Sequence, residues 1–324
     1  MPKLEELKNL AAKNIEPIPP SWPLVYFLLI KHLSPENSNL GAAVAASGEA
    51  AIFSYARDSI APMYFCTVGG DKRLKSCTGY DAKILRTTDA EEAFSLLREG
   101  IDTGSGVFVA GPEAGLCYGY ADPGPAEQRE VYGFSNWGPA FAGTFTWARF
   151  VKYINAFGDA EGIAYVQRES EPESTDQILE MIAVQVIDWQ RQHPAVKYGM
   201  KQEYYGTKAF EQFIADVRDP ETRVKIDEAY INCHAILFQL GGRYWLGQYL
   251  KQLSQQFTGD MQKRLIKIGD LYMEVYEKLN RFQEFDIKEG KKEAEVQEAI
   301  NWLNEACDAD KRIPEEFIVL RKSL

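Results

Sequence analysis

Acyl transfer and hydrolysis by a side chain need a hydroxyl or thiol with a base within hydrogen-bond reach, and few groups in this chain meet that description. The 324 residues contain five cysteines and three histidines. His32 ends an apolar run, and His193 precedes Pro194. His234 follows Cys233 in a helical pattern, and adjacent helical positions do not face each other. Cys117 lies in Gly115-Leu-Cys-Tyr-Gly-Tyr120, where it alternates with Tyr118 as a strand would. A small buried thiol is the ordinary role for such a position. Glu113, in Gly111-Pro-Glu, reads either as a base at a strand end or as a solvated turn residue. Asn136, beside Trp137-Gly-Pro, has the choice between orienting a partner and bonding only to local backbone. There is no phosphate-binding glycine loop, no Cys-x-x-Cys and no His-x-x-x-His, so neither a cofactor nor a metal is expected.

The elements that must position these groups follow from the patterning. Val107 to Tyr120 and Val131 to Gly138 read as three short strands joined by tight loops, and Ile163-Ala-Tyr-Val-Gln167 as a last strand. Thr88-Asp-Ala-Glu91 has capping-box spacing and predicts a helix through Leu97 and Arg98 that Gly100 ends. Leu24 to Ile30 is apolar on all sides, which predicts a buried central helix, with Ser21 at its N-cap. Before it come a weak amphipathic helix (Leu4, Leu7, Leu10, Ala11) and the extended Pro17-Ile-Pro-Pro20. Residues 41–61 fit helix or strand equally. Met63 to Tyr80 has the look of a hairpin about Gly69-Gly-Asp71, with Cys66 and Cys77 flanking its turn.

Past the acidic stretch Arg168-Glu-Ser-Glu-Pro-Glu-Ser174 the period becomes helical. One face carries Ile178, Met181, Ile182, Gln185 and Trp189; a second carries Phe210, Phe213, Ile214 and Val217. A third carries Leu265, Ile268, Leu271, Tyr272, Val275 and Leu279. Asp219-Pro220 supplies an N-cap and N1 pair, and Gly241-Gly242 is expected to break the pattern before Tyr244. The expectation is an α+β domain over residues 1–170, an antiparallel sheet with a buried N-terminal helix, followed by an all-α domain over 171–324.

Composition narrows the function classes. A net charge of −11 without a basic run argues against a nucleic-acid surface. Met1-Pro-Lys-Leu-Glu-Glu-Leu-Lys8 has no apolar signal core, and the longest apolar run is far short of a membrane span. A cytoplasmic location with reduced thiols is expected.

Two stretches resemble the family of the butirosin biosynthesis protein H, in which a papain-like domain is joined to a helical one. The first is Ala93 to Val109 with Gly115-Leu-Cys-Tyr-Gly-Tyr120; the second is Tyr205 to Asp216 with Gly241 to Leu250. The resemblance extends over most of residues 20–285 and implies a papain-like fold with a cysteine-dependent acyl-transfer or peptidase ancestor. It places the family's nucleophile, a cysteine at the start of the buried helix, where this chain has Ser21-Trp22. The family's histidine, which opens the second strand, falls where Glu113, Ala114 and Gly115 stand. Asn136 matches the residue that orients that histidine.

A serine without a base is a poor nucleophile at neutral pH. His32 lies 11 residues along the helix from Ser21, about 16 Å away, and cannot serve it. The chain therefore reads as a degenerate, non-catalytic papain-like protein retained to bind a small molecule, peptide or protein partner. Trp22, Tyr118, Tyr120 and Trp137 are the expected lining. The alternative is an acyltransferase or amide hydrolase with Ser21 or Cys117 as nucleophile and Glu113 as base. A third reading is an assembly protein that forms a homo-oligomer through an apolar helical face.

Overall fold

The structure, a computed structural model, describes residues 3–11, 15–51, 53–55, 69–109, 114–135, 143–159, 162–191, 204–223, 231–285, 287 and 291–324. Its strands are β1 (Ser54–Tyr55), β2 (Tyr80–Leu85), β3 (Val107–Val109), β4 (Gly115–Ala121), β5 (Glu130–Ser135), β6 (Gly143–Thr146), β7 (Ile163–Arg168) and β8 (Tyr204–Tyr205). The first helices are α1 (Glu5–Ala11), α2 (Ser21–Leu33), α3 (Leu40–Ser47), α4 (Gly70–Thr78), α5 (Ala90–Asp102), α6 (Trp147–Phe157), α7 (Thr175–Arg191) and α8 (Thr207–Arg218). Three long helices follow, Ile231–Ser254, Gly259–Glu284 and Glu293–Arg321. The fold is α+β, with an antiparallel sheet and a helical C-terminal region.

Two compact units share the chain. The first comprises Met1–Ile15, Ser21–Ala43 and Asp71–Glu173; the second comprises Glu16–Pro20, Val44–Gly70 and Ser174–Leu324. Neither is the single continuous stretch that a division into 1–170 and 171–324 describes. Residues 16–20 and 44–70 group with the helices, and Gln239 illustrates one tie between them. Its side-chain amide accepts from Ser54 N at 2.8 Å and donates to Ser54 O at 3.1 Å.

In the first unit six strands run in the order β2-β7-β3-β4-β5-β6, every neighbouring pair antiparallel. β7, late in sequence, is inserted between β2 and β3. β3 shows the alternation that layers this unit. Phe108 stacks on Tyr26 of α2 with centroids 5.4 Å apart, while Val107 and Val109 join a cluster with Phe94 and Leu97 of α5 and Phe150 and Ile154 of α6. The sheet is thus covered by α2 on one face and by α5 and α6 on the other.

Local details depart from expectation for physical reasons. The cap of α5 is Asp89, not Thr88: its carboxylate accepts from Glu91 N at 2.8 Å and Glu92 N at 3.2 Å. Gly100 does not end that helix. It lies within α5, and glycine is the residue that fits there, because a Cβ would stand 2.6 Å from Val107 Cγ2. The expected hairpin arm after Gly69 is the helix α4, in which Leu74 and Cys77, three apart, are the buried pair. Residues 63–68 of the other arm, with Cys66, lie outside the described residues.

In the second unit the helical faces are buried as their period predicts, from Ile178 and Ile182 through Phe210, Phe213 and Val217 to Leu265, Leu271 and Leu279. Met181 and Trp189 are only half-buried. Asp219 accepts from Thr222 N at 3.3 Å, and the chain is helical from 220 to 223. Gly241-Gly242 breaks nothing: the helix runs unbroken from Ile231 to Ser254. Among the described residues no helix is long and apolar enough to cross a membrane.

Candidate functional site

Ser21 is the first residue of α2. The hydroxyl accepts from the backbone N–H of Ala114 at 3.5 Å, a long and weak bond. The expected N-cap role is therefore corrected. A serine cap offers its oxygen to the N–H of the second or third residue onward, and here the second is Pro23, which has no N–H. Ser21 is buried, 9% exposed.

The sheet register explains why Ala114 is at hand. Val109 pairs with Gly115, and Gly115 with Ser135, so β3, β4 and β5 have these three residues at one end. Ala114 precedes Gly115 and is buried. The segment proposed for the base thus presents a backbone donor to Ser21 at Ala114. Glu113, Asn136 and Trp137 lie outside the described residues, as does His193.

The aromatic residues expected to line one cleft are distributed over different surfaces. Trp22 is packed against Tyr26, with ring centroids 4.3 Å apart, and Tyr26 in turn lies on Phe108. Its ring is thereby tied into the helix–sheet interface beside Ser21. Tyr118 and Tyr120 would share a face if β4 were regular. The register shifts between Cys117 and Gly119, and a bulge there inverts the alternation beyond it. Cys117 and Tyr120 consequently both join the α5–α6 core cluster. Tyr120 meets Phe94 edge-on at 5.8 Å and donates to Asp102 Oδ1 at 2.9 Å. It faces the layer opposite α2 and lines no cleft with Ser21. Tyr118 lies by α1: its carbonyl accepts from Leu4 N at 2.7 Å, and burial, with a smaller contribution from Glu5, holds its hydroxyl above the usual tyrosine range.

Among the described residues the candidate nucleophile Cys117 is not set for attack. Burial pushes the Cys117 thiol up to about 12, the reverse of an activated cysteine. Its place in the α5–α6 core removes it from the Ser21 end of α2. His32 sits in the last turn of α2, and its Nδ1 is buried without a hydrogen-bond partner among the described residues. Among the described residues no group of three or more His, Cys, Asp or Glu is placed to hold a metal ion.

Two features of the site had no reading in the sequence. The Ala114 amide is a backbone donor and leaves no side-chain signature. The β4 bulge is a property of strand pairing, although Gly119 at its edge is the residue type that tolerates one. No protein-family model matches the chain, and no curated protein matches it.

Proposed function

We propose that this chain joins a papain-like domain, of the kind found in the butirosin biosynthesis protein H family, to a helical domain. In this reading it has given up cysteine-type catalysis and binds a small molecule, peptide or protein partner near the start of α2. The observation that carries the reading is the Ser21–Ala114 contact. A hydroxyl occupies the head of the buried helix, and what it meets there is a backbone N–H. An N–H donor takes no proton from the hydroxyl, so the contact supplies no general base.

The buried Cys117, held neutral by desolvation, weighs against the acyl-transfer alternative. The thiols Cys77, Cys117 and Cys307 are free, which suits a reducing cytoplasmic compartment. The net charge of −11 suits partners other than nucleic acid.

Intact-protein mass spectrometry after incubation with p-nitrophenyl acetate and with an acyl thioester tests the reading. No stable adduct is expected on Ser21 or Cys117, and Ser21→Ala should leave the spectrum unchanged. An acyl adduct that disappears in Ser21→Ala or Cys117→Ala would replace the binding reading with the enzymatic one.

A further inference from the structure

The second unit carries a half-open pocket of about 370 Å³, within the size range of small-molecule sites, roughly 300–1,000 Å³. One wall is the segment Glu16-Pro17-Ile18. Facing it are Tyr244, from the helix Ile231–Ser254, and Tyr276, Asn280 and Gln283, from the helix Gly259–Glu284. The wall is fastened twice. Trp245 Nε1 donates to the Pro17 carbonyl at 2.9 Å, and at Gly241 any Cβ would stand 1.8 Å from the Ile18 carbonyl oxygen. Glycine weakens a helix interior relative to alanine; here it lets the wall close on the helix.

The lining selects by charge. The rings of Tyr244 and Tyr276 lie 5.2 Å apart, inclined at 60°. Glu16 contributes a carboxylate, and among the described residues that line the pocket there is no lysine or arginine. Asn280 donates one of its two amide N–H groups to Glu284 at 2.8 Å. Burial raises the Tyr276 hydroxyl foremost, and Tyr244, Glu284, Glu16 and Glu277 push it the same way. An anion would be repelled by Glu16, and a purely apolar ligand would strand polar groups. Aromatic faces beside a carboxylate are the surroundings that an organic cation prefers to water.

We infer that this pocket binds a small alkylammonium ion, its charged head between Glu16 and the rings of Tyr244 and Tyr276. The inference does not depend on the papain-like reading, since every residue it uses is in the helical unit.

Calorimetric titration of the full chain with choline, and in parallel with its neutral isostere 3,3-dimethyl-1-butanol, tests it. Choline should bind saturably, one per chain, and the neutral alcohol about tenfold more weakly or not at all. Glu16 is exposed, so Glu16→Gln should keep the thermal transition of the parent while weakening choline about tenfold. Tyr276→Leu should abolish binding. No saturable choline binding, equal binding of the alcohol, or full affinity in a folded Glu16→Gln protein would each overturn the inference.

Discussion

Gly241 and Ile18 are in such close contact that a Cβ on the glycine would stand 1.8 Å from the isoleucine carbonyl oxygen. The neighbouring Gly242 is different: a Cβ there would meet Ala50 Cβ at 3.5 Å, an ordinary contact. The two glycines should therefore respond in opposite directions to the same change. Gly241→Ala must push the 16–18 segment away and should cost about 1–3 kcal/mol. Gly242→Ala should be neutral or stabilise by up to about 1 kcal/mol, since alanine is the better helix former. Urea denaturation of both variants checks the pair; equal effects would mean the segment does not lie against the helix.

Arg243 and Asp310 form a buried ion pair at 2.6 Å, with side-chain exposures of 0% and 6%. The guanidinium also donates to the Ala50 carbonyl. Asp310→Ala leaves a buried cation uncompensated and should cost about 3–5 kcal/mol. The double replacement Arg243→Met with Asp310→Leu should cost less than Asp310→Ala, because it removes both charges together. Tyr272 packs under Arg243, 5.7 Å from guanidinium carbon to ring centroid. Its hydroxyl is buried without a hydrogen-bond partner among the described residues. Tyr272→Phe should therefore fall within about 1 kcal/mol of the parent or stabilise it. Chemical denaturation distinguishes these outcomes.

Alkaline pH should destabilise the protein through its thiols. Burial pushes Cys77 and Cys117 up to about 12 and Cys307 up to about 11. A thiol in the unfolded chain ionises near ~8.5, so folding holds these groups neutral while the unfolded chain gains by releasing protons. Their contribution is complete below ~8.5 and is lost as the pH rises toward the folded values. At pH ~10.5 Cys77 and Cys117 should each withdraw roughly 1–3 kcal/mol. Thermal unfolding at neutral and alkaline pH should show the fall, and native alkylation of Cys117 near neutrality should be slow. Rapid labelling of Cys117 in the folded chain would contradict its burial.

Ser21 should be dispensable for folding. Its bond to Ala114 is long at 3.5 Å, and Ser21→Ala should cost no more than about 1 kcal/mol. Ser21→Cys is the more informative change, because a thiol at a helix N-terminus is stabilised as thiolate. It should be alkylated faster than Cys117 near neutral pH. Equal slowness would show the start of α2 closed to small molecules and remove it as a binding site.

Much of the architecture was legible from residue pattern. Leu24 to Ile30 predicts the buried helix, Phe210, Phe213 and Val217 predict a helical face, and Val107 to Tyr120 predicts two paired strands. Each of these signals is local, since side chains separated by one turn or by one pleat share a surface whatever the rest of the chain does. The Asp310 position was also accessible to such reasoning, because Ala306, Asp310, Ile313 and Phe317 fall on one buried stripe of their helix.

Residue order is enough to read off the helices and strands that bury a regular face, and to show that no histidine stands at Glu113-Ala114-Gly115. Tertiary structure alone decided where those elements go. It inserted β7 between β2 and β3, moved Tyr120 to the far face through a bulge, and kept Gly241 helical to admit Ile18. It also turned Ser21 toward Ala114. The division has one physical cause. Periodicity is set by backbone geometry within a few residues, whereas partners distant in sequence are chosen by which surfaces and polar groups folding removes from water together.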